Sequence, residues 1–403
     1  MKSNRAVAPA LLLVALNLRL AIAAVPPVLT QIRHSTGLGS AGGGLLTALP
    51  VFCFGAFALA TPKLIRRFGM RPLLSLVLVA ILAGTAVRLV TPLVALFVGT
   101  AIIGSGIAVG NVVVPSLLRR DFADRRVMMT ALYSLALFIG GALSAGLTVP
   151  LEHVTGLSWR VTVALWGVAG LLAFAIWAPH ALRERKREDR ADVADDKLGS
   201  VSGLWRDPLA WCVTLFMGLQ SLSYYSTLSW IPTLLEDHGL GAGKAGWLLS
   251  FSMFPGMLAA LSTPALERRA RRPAVLVVVA VAFCGGAYAG LLAAPASATY
   301  AWMTMLGLGQ GVSLSLALGY IVARAPDSHH AAHLSTMAQS VGYMLAAAGP
   351  FMLGALHGAT GGWTLPMLVL IVLLAPLLIA GLVASQDRHV LARRDREPEL
   401  VSD

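Results

Sequence analysis

Long apolar runs alternate with short polar turns along almost the whole chain. A helix needs about 20 apolar residues to cross the roughly 30 Å of hydrocarbon in a bilayer, and most of the runs have that length. The pattern predicts an all-α membrane protein with twelve transmembrane helices, the first of them an uncleaved span. The predicted spans cover residues 8–30, 41–61, 72–89, 93–117, 128–151, 159–177, 209–235, 245–264, 274–293, 299–323, 334–356 and 365–383.

A charged segment divides these spans into two sets of six. Residues 181–207 mix Arg, Lys, Asp and Glu with few periodic apolar positions, so we expect a cytoplasmic linker there. The second half repeats the first at an offset of 202 residues, as Gly37 and Gly239 show. Two parallel six-helix repeats are typical of the major facilitator fold. We expect an N-terminal six-helix bundle over residues 1–180, and a C-terminal six-helix bundle with a cytoplasmic tail over residues 208–403.

Composition and charge support a membrane protein and set its orientation. The chain is 57% hydrophobic and only 12% charged, whereas about 25% of the residues of soluble domains are charged. Most of its 31 Lys and Arg residues lie on one side of the predicted membrane, which predicts that both termini are cytoplasmic in a bacterial-type inner membrane. Aromatic residues do not interleave with the basic clusters, so we expect no nucleic-acid partner. The expected partners are the lipid bilayer and a small-molecule substrate, bound by a monomer.

One charged residue, Arg19, lies deep inside a predicted span. Burying a guanidinium in a bilayer costs roughly 3 kcal/mol or more, so such residues usually mark a function. None of the 19 acidic residues is near the middle of a span, so no carboxylate is predicted to pair with Arg19. We interpret Arg19 as the anchor of a substrate, although packing against neutral polar groups to lock the first span stays an alternative. Neutral polar residues at similar depth complete the predicted lining: Asn17, Asn111, Gln220, Tyr224, its neighbour Tyr225, Gln310, Gln339 and Tyr343.

Other residues in and near the spans have simpler interpretations. Arg88 lies within one turn of a span end, where we expect it to snorkel towards the surface. Pro26-Pro27 and Pro232 occupy similar places in the first and seventh spans and are predicted to bend or end both helices. The three cysteines have no metal-ligand spacing, and no nucleophile–base pair or phosphate loop is present in the sequence. We therefore expect no metal, no cofactor and no enzymatic activity.

Short basic turns follow the second and the eighth predicted spans. They resemble the Asp-Arg-x-Gly-Arg signature loop of major facilitators, although Arg66 stands where that motif has Asp. A gating role and simple positive-inside anchoring both remain open. The residues concerned are Arg66, Arg67, Arg71, Arg268 and Arg269.

Several segments resemble the cyanate/2-nitroimidazole transporter family (CynX/NimT) of major facilitators, and the resemblance covers nearly the whole chain. It is closer to the 2-nitroimidazole branch in the seventh and eleventh spans. The resemblance implies movement of small polar molecules or anions. The segments that carry it are Asn17-Leu18-Arg19, residues 104–112 (GSGIAVGNV), 119–122 (RRDF), 205–211 (WRDPLAW) and 337–343 (MAQSVGY).

The combined prediction is a secondary active or facilitated transporter that works by alternating access. Its predicted substrate is a small polar or anionic solute, similar to cyanate or a nitroimidazole, anchored by Arg19. One alternative is a multidrug-type exporter of small hydrophobic compounds, in which Arg19 is structural. A membrane sensor without transport is a third possibility, although no attached signalling domain is predicted.

Overall fold

The computed structural model describes residues 4–122, 125–188, 203–270 and 272–391. All of the regular structure in these ranges is helical, with short 3-10 turns at Pro26–Val28 and Leu204–Arg206. The α-helices are α1 (Asn4–Ala23), α2 (Leu29–Thr36), α3 (Ser40–Ala58), α4 (Thr61–Phe68), α5 (Met70–Arg88), α6 (Leu93–Asp121), α7 (Arg126–Thr155), α8 (Trp159–Leu165), α9 (Gly167–Glu188), α10 (Pro208–Asp237), α11 (Ala242–Arg269), α12 (Ala274–Ala293), α13 (Thr299–Ala323), α14 (Ser328–Thr360) and α15 (Thr364–Ala384).

Twelve helical segments are long enough to cross a bilayer. Within the described ranges, eleven are also apolar enough, when α1 with α2 and α8 with α9 each count as one segment. The twelfth is α10, with 30 residues, whose Ser, Thr, Tyr and Gln side chains make it more polar. From Phe216 to Leu235 every residue of α10 except Tyr224 is buried. The prediction of an all-α membrane protein with twelve spans is confirmed, and its most polar span lies in the interior.

Two helices end at glycines that the repeat places in equivalent positions. Gly156 follows α7 with a φ of 66°, and Gly361 follows α14 with a φ of 67°. A residue in the left-handed conformation at the end of a helix turns the chain, and its N–H can donate a hydrogen bond to one of the last carbonyls of the helix. Glycine adopts this conformation without strain. Gly156 N–H donates to the Glu152 carbonyl, and Gly361 N–H donates to that of His357, both at 2.9 Å.

The two halves of the sequence, α1–α9 and α10–α15, meet through small residues. We call the side where α1 begins and α15 ends the near face, and the opposite side the far face. Gly44 of α3 lies against the backbone of Pro350 in α14, and a Cβ on Gly246 of α11 would lie 2.7 Å from the Ala145 carbonyl oxygen in α7. Small residues let membrane helices approach closely. All of these positions lie in the far-face halves of their helices.

The first span breaks where two prolines follow one another, whereas the seventh does not. After Ala23 the α-helix gives way to the 3-10 turn. Pro26 and Pro27 have no N–H groups, so they cannot donate the helical hydrogen bonds to the carbonyls of Ile22 and Ala23. The single Pro232 lies inside α10, which continues to Asp237. The prediction that the helix could end at Pro232 is therefore wrong. Only one backbone N–H donor is missing there, and the packing around α10 keeps the neighbouring turns helical.

One further prediction needs correction. Arg88 does not snorkel: it is 6% exposed, and its Nε donates to Thr100 Oγ1 at 3.0 Å inside the protein. The helix α9 runs to Glu188, so its last turns belong to the segment 181–207 that is predicted to be the linker. Residues 189–202 of that predicted linker, and residues 392–403 of the predicted tail, lie outside the described residues.

Candidate substrate site

Arg19 lies midway along the first span and reaches across to the other half of the chain. Its Nη1 donates a hydrogen bond of 3.1 Å to the hydroxyl of Tyr225 on α10. The Arg19 side chain is half-buried, and within the part of the chain that the structure describes no acidic side chain forms a salt bridge with it. The guanidinium therefore points into the interface between the halves and has a neutral hydroxyl as its hydrogen-bond partner.

Aromatic side chains surround this guanidinium from four helices. Tyr224 and Tyr225 of α10, Tyr343 of α14 and Tyr133 of α7 all interact electrostatically with Arg19. The rings of Tyr224 and Tyr225 lie 5.1 Å apart, and those of Tyr225 and Tyr343 lie 6.4 Å apart. Phe54 of α3 packs edge-on against Tyr343 at 5.6 Å. We call Phe54, Tyr133, Tyr224, Tyr225 and Tyr343 the aromatic cage.

The cage offers two kinds of interaction to a bound molecule. The Arg19 guanidinium has five N–H donors in a planar fork that matches carboxylates and similar planar anions. The tyrosines add hydroxyl groups and flat apolar faces, and aromatic rings stack well on planar partners. This combination suits a small, flat solute with a negative charge or a strongly polar edge.

Four of the residues predicted to line the site meet at this point: Arg19, Tyr224, Tyr225 and Tyr343. Gln310 forms a separate polar network with α10, where its Nε2 donates to Thr227 Oγ1 at 2.8 Å. Gln339 donates to Ser335 Oγ at 2.8 Å along its own helix, α14. Both glutamines are half-buried, so they border interior space without contacting Arg19.

The remaining predicted lining residues do not join the cage. Asn17 faces α9, because its amide donates to the carbonyls of Leu13 at 2.9 Å and Ala169 at 3.1 Å. Gln220 is 4% exposed and donates to Ser221 Oγ at 2.7 Å within α10. Asn111 is half-buried on α6 and makes no side-chain hydrogen bond to other described residues. Asn17 lies two residues from Arg19, and two steps of 100° turn a side chain to the opposite face of a helix.

Two members of the cage, Tyr133 and Phe54, were not predicted. The i, i+4 pairing with Gln220 favoured Tyr224, yet it is the neighbouring Tyr225 that bonds to Arg19. Tyr133 is a single tyrosine near the start of a span, and its hydroxyl was the available signal. Phe54 is one apolar residue among many in α3, and nothing in its local sequence distinguishes it.

The predicted gating residues lie at the near face. Arg71 Nη2 pairs with Asp121 Oδ2 at 2.8 Å, which ties α5 to α6 within the first half. Arg66 and Arg67 are exposed on the last turn of α4, which is a helix rather than the predicted turn. Arg268 and Arg269 are exposed on the last turn of α11. These four exposed arginines form no salt bridge with the described acidic residues.

A histidine-rich turn begins α14 at the same face. Asp327 accepts hydrogen bonds from the backbone N–H of His330 at 2.8 Å and from its Nδ1 at 2.9 Å. These bonds lower the pKa of Asp327 below its usual range. Possible ligand atoms of Asp327, His329 and His330 lie within 4.8 Å of one another. The cap explains this grouping, since a carboxylate at a helix N-terminus satisfies free N–H groups.

Known proteins resemble this chain over nearly its whole length. It is 39% identical to a protein named uncharacterized transporter YycB from Bacillus subtilis, over 94% of this chain and 93% of that one. It is 36% identical to the 2-nitroimidazole transporter of Escherichia coli, over 94% and 95% of the two chains. It is 28% identical to the cyanate transport protein CynX of the same species, over 88% and 90%.

A solved structure and a family model match this chain as well. A bacterial homolog of the lysosomal transporter Spinster, solved in an inward-facing conformation, superposes with a TM-score of 0.74 over 96% of this chain and 99% of that one, at 16% identity. The family model described as Major Facilitator Superfamily matches residues 8–350. The chain, with its twelve spans, therefore belongs to the Major Facilitator Superfamily.

Proposed function

We propose that this protein carries a small, planar polar or anionic solute, similar to cyanate or a nitroimidazole, across a bacterial inner membrane by alternating access. One observation supports this proposal above all others. A guanidinium lies in the middle of the membrane, reaches across the interface between the halves, and has a tyrosine hydroxyl in place of a carboxylate as its partner.

The energetics favour a negatively polarised ligand at this point. A charged side chain inside the bilayer costs several kcal/mol unless other groups compensate it. A neutral hydroxyl compensates only part of this, because a hydrogen bond to a charged group contributes about 1.5–3 kcal/mol. A bound anion, or the polar edge of a nitro group, would supply the rest. The relatives named for 2-nitroimidazole and cyanate support solutes of this size and shape.

Alternating access is supported by the two matching halves and by the contacts between them. Small residues bring α3 close to α14 both at Gly44, towards the far face, and at Gly55, towards the near face, and we propose that these contacts separate in turn. We assign the near face to the cytoplasm from its excess of basic residues. We propose that the bundles 1–180 and 208–403 rock against each other, with residues 181–207 as their tether. The exposed Arg66, Arg67, Arg268 and Arg269, with Arg71, would then contact the opposite half when the near face closes.

The test is uptake of labelled cyanate and 2-nitroimidazole into proteoliposomes that contain the wild type, Arg19→Gln or Arg19→Lys. We expect Arg19→Gln to lower kcat/KM about 100-fold, which corresponds to roughly 3 kcal/mol of lost binding. Arg19→Lys should retain part of the uptake, because it keeps the charge without the planar fork. Lys244→Gln, at an exposed position of the far face, is the matched control and should behave like the wild type.

Two results would overturn the proposal. A folded Arg19→Gln variant that takes up both solutes as well as the wild type would make Arg19 a structural residue. Wild-type protein that moves neither solute but exports hydrophobic dyes, equally well with and without Arg19, would support the multidrug exporter instead.

A further inference from the structure

A second guanidinium, that of Arg88, is buried in the first half of the chain. Its Nε donates to Thr100 Oγ1 at 3.0 Å and its Nη1 to the Ala21 carbonyl at 3.1 Å. These bonds use two of the five N–H groups of a guanidinium. No described acidic residue forms a salt bridge with Arg88, which is only 6% exposed.

The break in the first span explains part of this arrangement. Val25 N–H donates to the Ile22 carbonyl, so it does not continue the α-helical pattern to Ala21, and the Ala21 carbonyl is free to accept from Arg88. A cation at the C-terminal end of a helix also interacts favourably with the helix dipole, by about 0.3–2 kcal/mol. That contribution is smaller than the several kcal/mol that a buried, unpaired charge costs. Arg88 therefore retains uncompensated positive charge.

Arg88 also lines a cavity that it shares with Tyr225. The cavity lies between the broken part of the first span, α3 and α10, and its wall includes Pro26, Pro50 and Ser229. The hydroxyl of Tyr225 is the one that accepts the hydrogen bond from Arg19. In this conformation the cavity has room for about one water molecule, so a larger anion would enter it only once the surrounding helices move apart. The residue to which Arg88 bonds, Ala21, lies two positions beyond Arg19, about 3 Å further along α1.

We propose that Arg88 is a second anion-binding group, and that the cavity between Arg88 and Tyr225 receives the negative charge of the substrate. This inference rests on the proposed function and concerns the anionic members of its substrate class. Two guanidiniums without a carboxylate repel each other in a medium of low dielectric constant, and an anion between them removes that repulsion. A substrate that leaves Arg19 towards the far face would meet Arg88 next, so its charge stays compensated along that part of the path.

The test compares an anion with a neutral solute of related size. Proteoliposomes take up either labelled cyanate or 1-methyl-2-nitroimidazole, which has no N–H to ionise. We expect Arg88→Gln to raise the KM for cyanate at least tenfold and to change the KM for the neutral solute less than twofold. Arg88→Lys, which keeps the charge, should recover most of the cyanate uptake.

Thr100→Val is the matched control for a purely structural role. It removes the hydroxyl that holds Arg88 Nε but keeps the charge, and we expect its KM for cyanate to stay within threefold of the wild type. Equal losses for the anion and the neutral solute in Arg88→Gln, or a Thr100→Val variant as impaired as Arg88→Gln, would show that Arg88 only holds the break in the first span. Either result overturns the inference.

The two proposals fail separately: wild type that moves no anion, or an Arg19→Gln variant that moves it normally, counts against the proposed function. Normal anion uptake and KM in Arg88→Gln, beside a defective Arg19→Gln, counts against this inference alone.

Discussion

The two central helices α1 and α10 begin the two halves of the chain, yet they contribute different groups to the candidate site. The helix α1 carries the guanidinium of Arg19 and loses its α-helical form before Pro26-Pro27. The helix α10 carries the tyrosine that accepts from Arg19, and it runs unbroken through Pro232. The helix α1 supplies a charge and a break in its α-helical form, and α10 supplies a neutral acceptor and a continuous, buried wall.

This difference shows how a repeated architecture becomes an asymmetric site. At the offset of 202 residues Arg19 corresponds to Ser221, which is 4% exposed and accepts a hydrogen bond from Gln220. A second guanidinium at that position would have to be buried against packed neighbours. Under the proposed function, groups of the other half would complete the binding of a substrate to Arg19, and this requirement would couple the two halves.

The largest effect should come from moving the charge to the other helix. We expect Arg19→Ser with Ser221→Arg to lower anion uptake at least about 100-fold, because the new guanidinium would lie at a position that is 4% exposed and packed around a small side chain. The folded yield should also fall, whereas Arg19→Ser alone should lose uptake and keep its fold. Size-exclusion profiles and proteoliposome uptake measure the two quantities. Wild-type uptake by the double variant would show that α1 and α10 are interchangeable.

A smaller effect should come from removing the acceptor on α10. We expect Tyr225→Phe to raise the KM for cyanate about tenfold, since a hydrogen bond between a charged and a neutral group contributes about 1.5–3 kcal/mol and a bound anion replaces part of it. Tyr224→Phe is the control, because its hydroxyl does not bond to Arg19, and its KM should change less than about twofold. Similar KM values for the two variants would mean that the hydroxyl of Tyr225 has no special role.

The smallest effect should come from the prolines. Restoring two N–H donors with Pro26→Ala and Pro27→Ala should let α1 continue as a regular helix and slow the conformational step, lowering kcat about fivefold with little change in KM. Pro232→Ala should leave kcat unchanged, because α10 is already continuous. Stopped-flow uptake resolves kcat from KM. If kcat changes equally when the prolines of α1 and of α10 are replaced, the difference between a broken α1 and a continuous α10 has no role in transport.

Much of the fold could be predicted from the sequence, because each signal is local. Hydropathy gives the spans, and even α10 was found as residues 209–235 although its Ser, Thr and Tyr side chains reduce the signal. The break at Pro26-Pro27 follows from missing N–H groups in adjacent residues. Whether α10 would continue through Pro232 could not be predicted from the sequence, because it depends on how other helices pack around α10.

The candidate site was predicted only in part. A guanidinium in an apolar run is visible in the sequence because its burial is costly wherever the chain places it, so Arg19 could be identified. Its hydrogen-bond partner Tyr225 lies 206 residues away in the sequence, and Tyr133 and Phe54 gave no comparable signal. Asn17 shares the depth of Arg19 along the first span but points to α9. Depth follows from position in a span, whereas direction depends on how the helix is rotated against its neighbours.

The sequence by itself determined that this chain spans a membrane twelve times, that its two halves are related, and that one guanidinium lies without a carboxylate at mid-depth. These properties depend on how favourably individual residues are solvated in lipid or water, and on the repeat of the sequence from one half to the other. Only the tertiary structure decided that tyrosines of the other half surround Arg19 and that Arg88 turns inward to the broken end of α1. Those contacts depend on the packing of helices that are distant in sequence, and small residues such as Gly44 and Gly246 set how closely these helices approach.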